Sequence, residues 1–388
     1  MRSDVVWRGV AWAVTPVHVG AGETWTKQDY VVRDGKLCRI DPARVVARMD
    51  PVRRREFERA VDRGDLQGAH CILAEAVDAD DILERIPLGP RARQELEQAQ
   101  KDARRWGEVM PFIRTGGRPF IPGSSIKGAI RTALLNAVVQ ARGLGPAKQV
   151  IAGAGARTSD RLQEWAFGYD GRHTEQDPFR FVEVGDVPLP DGATRIDRVV
   201  NWNPKAEESQ GIQMHVERLA CRLEGTVRVP LTIRLDLGRL EAARRCDAGP
   251  GHRRTPSFPL TEAGIRKAVK AFYAARYRWE RDRFFEEQAR FLDSMFAVKI
   301  GNGTLSLDEL LKRDDFLLLR VGRFTQFESK SVDDLRRGYA PQRRRTIPEG
   351  STRNVMDVQL RTSQGKTVHR RLPFGWVLVW LREIRVQS

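Results

Sequence analysis

Two serines, a lysine, a glycine and an arginine stand together in Phe120-Ile121-Pro122-Gly123-Ser124-Ser125-Ile126-Lys127-Gly128-Ala129-Ile130-Arg131, and their types suit the holding of a phosphate. Hydroxyls and helix-start N–H groups donate to an anion, while Lys127 and Arg131, four apart, add charge on one side. Pro122-Gly123 stops a preceding strand and a serine can cap. Ile126, Ala129, Ile130, Ala133, Leu134, Ala137 and Val138 recur at helical spacing, which predicts a helix with one buried face. The same residues also suit an ordinary amphipathic helix with two solvated cations. A nucleotide phosphate loop is disfavoured, because Lys127 is followed by Gly128 and Ala129 where that loop needs Ser or Thr. Gly128 in the first turns of a helix costs about 1 kcal/mol relative to alanine, which points to close approach by another backbone or by a ligand.

The whole chain favours a polyanion as partner. Its 388 residues carry a formal charge of +16, and residues 253–388 alone hold 28 Lys and Arg against 16 Asp and Glu. Nucleic acid fits this excess better than a membrane, since no long apolar run exists. Cys38, Cys71, Cys221 and Cys246 lie far apart with no Cys-x-x-Cys, and the six histidines are scattered. Reduced thiols, a cytoplasmic setting, no metal and no cofactor are therefore expected.

Several elements must position these residues. Val5 to Val14 reads as a strand, Tyr30 to Ile40 as a hairpin turning at Asp34-Gly35, and a glycine-flanked loop with His18, Gly20 and Gly22 lies between them. Residues 42–106 turn helical and charged, an insertion between strands. Val109 to Arg114, Phe179 to Val184, Ala193 to Trp202 and Ile212 to Asp236 read as strands. A single helix is predicted from Thr261 to about Met295, capped by Thr261 and densely basic on its outer faces. Phe316 to Val321 is a strand leading into a loop with Gly322, Arg323 and Lys330. Arg336-Arg337 and Arg343-Arg344-Arg345, around Gly338-Tyr339-Ala340-Pro341, form the densest basic loop, and Leu372 to Leu381 a final buried strand. The division expected is 1–238 and 239–388.

The segments Pro16 to Gly22, Ile121 to Arg131, Arg320 to Gly322 and Pro373 to Trp376, in this order, resemble the RAMP superfamily of CRISPR effector proteins, and within it the family of fifth subunits of type III-A Csm complexes. The resemblance implies an α+β fold with a ferredoxin-like, RRM-type antiparallel sheet core, single or duplicated, large helical insertions and a glycine-rich loop. It further implies a non-enzymatic subunit that binds the backbone of the guide RNA (crRNA) and caps a filament near the guide's 3′ end. Its partners would be the crRNA, target RNA in the assembled complex, the neighbouring backbone RAMP subunit and the small helical subunit. Ser124, Ser125, Lys127, Gly128 and Arg131 would then contact RNA, with His18, Gly20 and Gly22 on the same surface and Gly322, Arg323, Lys330 and Arg343 to Arg345 as further contacts. The alternative is a RAMP-type RNA endonuclease using His18, or an aspartate among Asp29, Asp34 and Asp41.

Overall fold

The computed structural model describes residues 4–102, 104–105, 107–205, 214–236, 239–240, 260–340, 345–361 and 364–386. Its first sheet has five strands in the spatial order Phe316–Arg320, Trp376–Val386, Asp4–Ala13, Arg228–Leu235, Val182–Val184, every neighbouring pair antiparallel. Valine and tryptophan favour the half-buried pleat of the central strand. Gly9 lets the last strand approach: a Cβ there would lie 1.8 Å from the Trp380 carbonyl oxygen. The helices Gly123–Arg142 and Glu262–Phe284 pack together and against one face of this sheet, burying Trp7, Ala11, Leu317, Val379 and Leu381. Strands from both sides of residue 238 therefore share one sheet.

A second sheet runs Thr367–Pro373, Arg353–Arg361, Thr194–Trp202, Met214–Leu219, Val109–Met110, with only the last pair parallel. Ile212 to Asp236, expected as one strand, divides at the short turn Arg222–Glu224 into two strands that enter different sheets. The hairpin forms as expected, with Asp34 and Gly35 at φ 51° and 70°. Within the insertion, helices Pro42–Arg48, Pro51–Asp62 and Leu66–Ala76 are capped by Asp41, Asp50 and Asp65. Ile82–Pro87 is a strand rather than helix and joins the hairpin. Val31, Cys38, Ile40, Val45, Met49, Leu73 and Val77 give this unit a small core of its own.

Two helix expectations change. The long helix starts at the Thr261 cap but stops at Phe284, and a short 3-10 turn separates it from Ala289–Phe296. The helix Gly123–Arg142 has no serine cap; the Gly123 N–H donates to the Asp186 carboxylate at 2.7 Å, from a loop far along the chain. Gly123 is required by packing, since a Cβ would lie 2.0 Å from the Val184 carbonyl oxygen.

Candidate nucleic-acid interface

Segments distant in sequence are stitched together at one end of the first sheet. The Arg323 N–H donates to the His18 carbonyl at 2.7 Å, the Gly375 N–H to the Pro16 carbonyl at 2.7 Å, and the Val321 N–H to the Gly375 carbonyl at 2.9 Å. Gly322 and Gly375 hold φ 94° and 98°, and a Cβ on Gly322 would lie 2.3 Å from the His18 carbonyl oxygen, so the fold itself demands a glycine there. Beneath them Arg320, Glu280, Arg353 and Glu328 form a fully buried ion network. Glu280 lies 2.9 Å from Arg320 and 3.1 Å from Arg353, and Arg353 lies 3.2 Å from Glu328. The Trp376 indole N–H donates to Glu280 at 3.1 Å. A buried charge left alone is expensive, so the network fixes the loop that starts at Arg320.

Above this junction lies an open groove of about 530 Å3. Ser124, Ser125, Gly128 and Thr132 of the helix form one wall, Gly322, Arg323, Ser329 and Lys330 the other, with Gly20 at the rim and Tyr273 and Arg320 below. No carboxylate lines it among the described residues. Lys330 titrates below the usual lysine range, first through desolvation and then through the neighbouring Arg320 and Arg323 cations. An anion in the groove would relieve that repulsion. Gly128 is exposed, and a Cβ there would meet no atom within 4 Å. Protein packing therefore does not explain this helix glycine, which leaves room for a ligand to come close.

Seven of the sequence-predicted residues thus meet in the groove: Gly20, Ser124, Ser125, Gly128, Gly322, Arg323 and Lys330. Gly22 is exposed but lies outside it. The expectation that Lys127 and Arg131 share the serine face is corrected. Arg131 turns away and pairs with Asp177 at 2.8 Å, donates to Gln163 and Tyr169, and lies over the Phe179 and Phe167 rings at 4.7 and 5.0 Å. Lys127 is half-buried near Asp177, and its pKa falls chiefly through burial. The open helix start expected for an anion is occupied by Asp186. Arg343 and Arg344 lie outside the described residues, and Arg345 opens the short strand Arg345–Ile347. Sequence reasoning missed Thr132, four residues beyond Gly128 and legible from helical spacing, and Arg320, Ser329 and Tyr273, which only the tertiary fold brings in.

His18 is fully buried directly below the groove. Its Nδ1–H donates to the Glu217 carbonyl at 2.6 Å, and its ring stacks on Phe324 with centroids 5.8 Å apart. Burial lowers its pKa to about 4, with Arg323 contributing, so the ring is neutral and Nε2 carries no proton. Nε2 is sealed from solvent against Gly20 and has no hydrogen-bond partner among the described residues. The three candidate aspartates hold local structure. Asp29 accepts from Thr26, Asp34 sits in the hairpin turn and Asp41 caps a helix.

Most cations of the long helix are also internally committed. Arg266, Lys270, Arg276, Arg278, Arg281 and Arg283 each pair with a carboxylate, Glu262, Asp314, Asp333, Asp308, Asp293 and Glu349 respectively. A large part of the positive charge thus ties elements together, which makes the carboxylate-free groove more distinctive.

Residues 13–220 match a family model described as the RAMP superfamily, and the chain belongs to that superfamily. Its curated relatives include proteins named "CRISPR system Cms protein Csm5". The one from Methanocaldococcus jannaschii is 24% identical over 212 residues, 52% of this chain and 48% of the relative. The one from Streptococcus thermophilus is 31% identical over 128 residues, 32% of this chain and 36% of the relative. The matches therefore span about half and about a third of those proteins' lengths. Among solved structures, a chain of a cryo-EM structure of a type III-A Csm-crRNA-target RNA ternary complex aligns at a TM-score of 0.63 and 19% identity, covering 96% of this chain and 100% of that one. A crystal structure of T. onnurineus Csm5 aligns at 0.55 and 19%, covering 95% and 99%. These likenesses establish a shared fold.

Proposed function

We propose that the chain is a non-catalytic RNA-binding and assembly subunit of a type III-A Csm complex. It holds the crRNA backbone in the groove between Ser124 to Thr132 and Gly322 to Lys330, caps the filament near the guide's 3′ end and supports maturation of that end. The observation that carries this reading is a carboxylate-free groove whose walls are hydroxyls, cations and an otherwise unexplained helix glycine. Such walls suit a phosphodiester backbone of any sequence, because phosphate contacts position without reading bases. The names of its relatives supply the complex. The neighbouring backbone RAMP subunit, the small helical subunit and target RNA are its proposed partners, and a prokaryotic cytoplasm its setting.

A ferredoxin-like reading of the first sheet is supported by its connections. Asp4–Ala13, Val182–Val184, Arg228–Leu235 and Trp376–Val386, taken as first to fourth, lie in the order fourth, first, third, second. A helix joins first to second and another lies between third and fourth, with Phe316–Arg320 added at the edge. The absence of catalysis is supported by His18, whose basic nitrogen no ribose hydroxyl can reach.

The test is guide-RNA affinity across a salt series for Arg323→Glu plus Lys330→Glu. Loss of two phosphate contacts to a single strand lowers the log–log salt slope by about 1.4 and weakens binding by about tenfold or more. Lys127→Glu, away from the groove, has the smaller effect. Wild-type affinity and slope in the double variant would overturn the assignment.

A further inference from the structure

On the face of the first sheet turned away from Arg266, two arginines stand side by side without a carboxylate partner among the described residues. The Trp7 ring lies 4.7 Å from the Arg266 guanidinium of the long helix, so Trp7 points to the helix side and its neighbour Arg8 to the opposite face. The register sets Arg8 directly across from Arg382 on one neighbouring strand and from Thr232 on the other. All three are exposed. Side chains opposed in this way have Cβ atoms about 5 Å apart, and like charges there repel. Among the described residues no hydrogen bond or ion pair holds Arg8. Among the described residues the Arg382 side chain has no ion pair either, and its guanidinium lies 4.9 Å from the Trp380 ring. Acid is not lacking nearby: on the same face Arg234 lies 3.7 Å from Glu183 and 3.8 Å from Asp236. The Arg8–Arg382 pair is left open beside compensated neighbours. In the adjacent row, Trp380, Val10 and Pro230 stand in register across the same three strands, half-buried to exposed.

We propose that this face is a second binding site for single-stranded RNA, separate from the groove. Arg8, Arg382 and the Thr232 hydroxyl would donate to phosphate oxygens, and the apolar row Trp380–Val10–Pro230 would support a ribose or base. An acidic protein surface would satisfy the arginines but leaves the apolar row without a role, whereas a nucleotide strand uses both rows. The choice of RNA rests on the proposed function; the site itself does not.

The experiment uses the full chain, a labelled oligouridine as RNA probe and a polyglutamate peptide as acidic-protein probe. Four proteins are compared: wild type, the groove variant Arg323→Glu plus Lys330→Glu, the face variant Arg8→Gln plus Arg382→Gln, and the combination. Wild type is expected to bind two oligouridines at low salt, each double variant one, and the combination none. Removing the face lowers the salt slope of the remaining event in the groove variant by about 1.4, two contacts at about 0.7 each. The face variant also unfolds at a higher temperature than wild type, because a cross-strand repulsion is gone, which shows that its lost binding is not unfolding. One oligouridine on wild type and none on the groove variant would overturn the face while leaving the groove intact. Undiminished binding in the groove variant with none in the face variant would support the face and overturn the groove. Tighter binding of polyglutamate than of oligouridine at Arg8 and Arg382 would overturn the RNA assignment.

Discussion

At the scale of single residues, His18 separates what side-chain type suggests from what surroundings permit. An imidazole beside an open groove is the expected form of a general base, yet this one is buried with its basic nitrogen sealed. Its pKa falls from 6.5 to about 4, so the folded state holds the neutral ring while the unfolded state takes up a proton below 6.5. The stability this contributes is complete above pH 6.5 and is lost as pH falls toward 4, up to roughly 3 kcal/mol. The unfolding free energy of the wild type is therefore expected to drop more steeply between pH 6.5 and 4 than that of His18→Gln. Equal slopes in denaturant titrations would show that His18 is not the group responsible. The residue types of the groove were legible in the sequence, as Ser124, Ser125, Gly128 and Lys330 show. Their division from Arg131 was not, because the Asp177 that captures it lies 46 residues away.

At the scale of elements, the helix Gly123–Arg142 is legible from its apolar spacing, but the partner of its first N–H is not, for a physical reason. A local serine was the plausible cap, but the Gly123 N–H is satisfied by Asp186 from a loop beside the sheet. Tertiary partners of this kind leave no local signal. The break of the long helix at Phe284 was likewise hidden, since apolar positions continue beyond it through Leu292 and Phe296. Gly128 yields the sharpest prediction at this scale. Alanine there meets no atom and improves helix propensity, so Gly128→Ala is expected to stabilise the fold by roughly 0.5–1 kcal/mol while weakening guide-RNA binding. Thermal unfolding and RNA titration on the same variant check both signs. A stabilised variant that binds RNA as before would mean that the glycine does not serve the groove.

At the scale of the whole molecule, the alternating apolar segments announced sheets and the charged block announced an insertion, but pairing over hundreds of residues could not be read from either. The insertion has its own core of Val31, Cys38, Ile40, Val45, Met49, Leu73 and Val77, built on its hairpin. Replacing residues 43–80 by a short glycine-serine link is therefore expected to preserve the two large sheets and the groove. Circular dichroism and RNA binding near wild type would bear this out, and global unfolding would show that the block is integral to the main core.

The strand Trp376–Val386 lies beside Asp4–Ala13 in the middle of the first sheet, and the turn before it grips both loops of the groove. A ribosome delivers this strand some 360 residues after the one it must join. Until then the nascent chain has neither a closed central sheet nor a formed groove. On the proposed function, guide capture would follow synthesis, and a chain truncated before this strand would lack the groove.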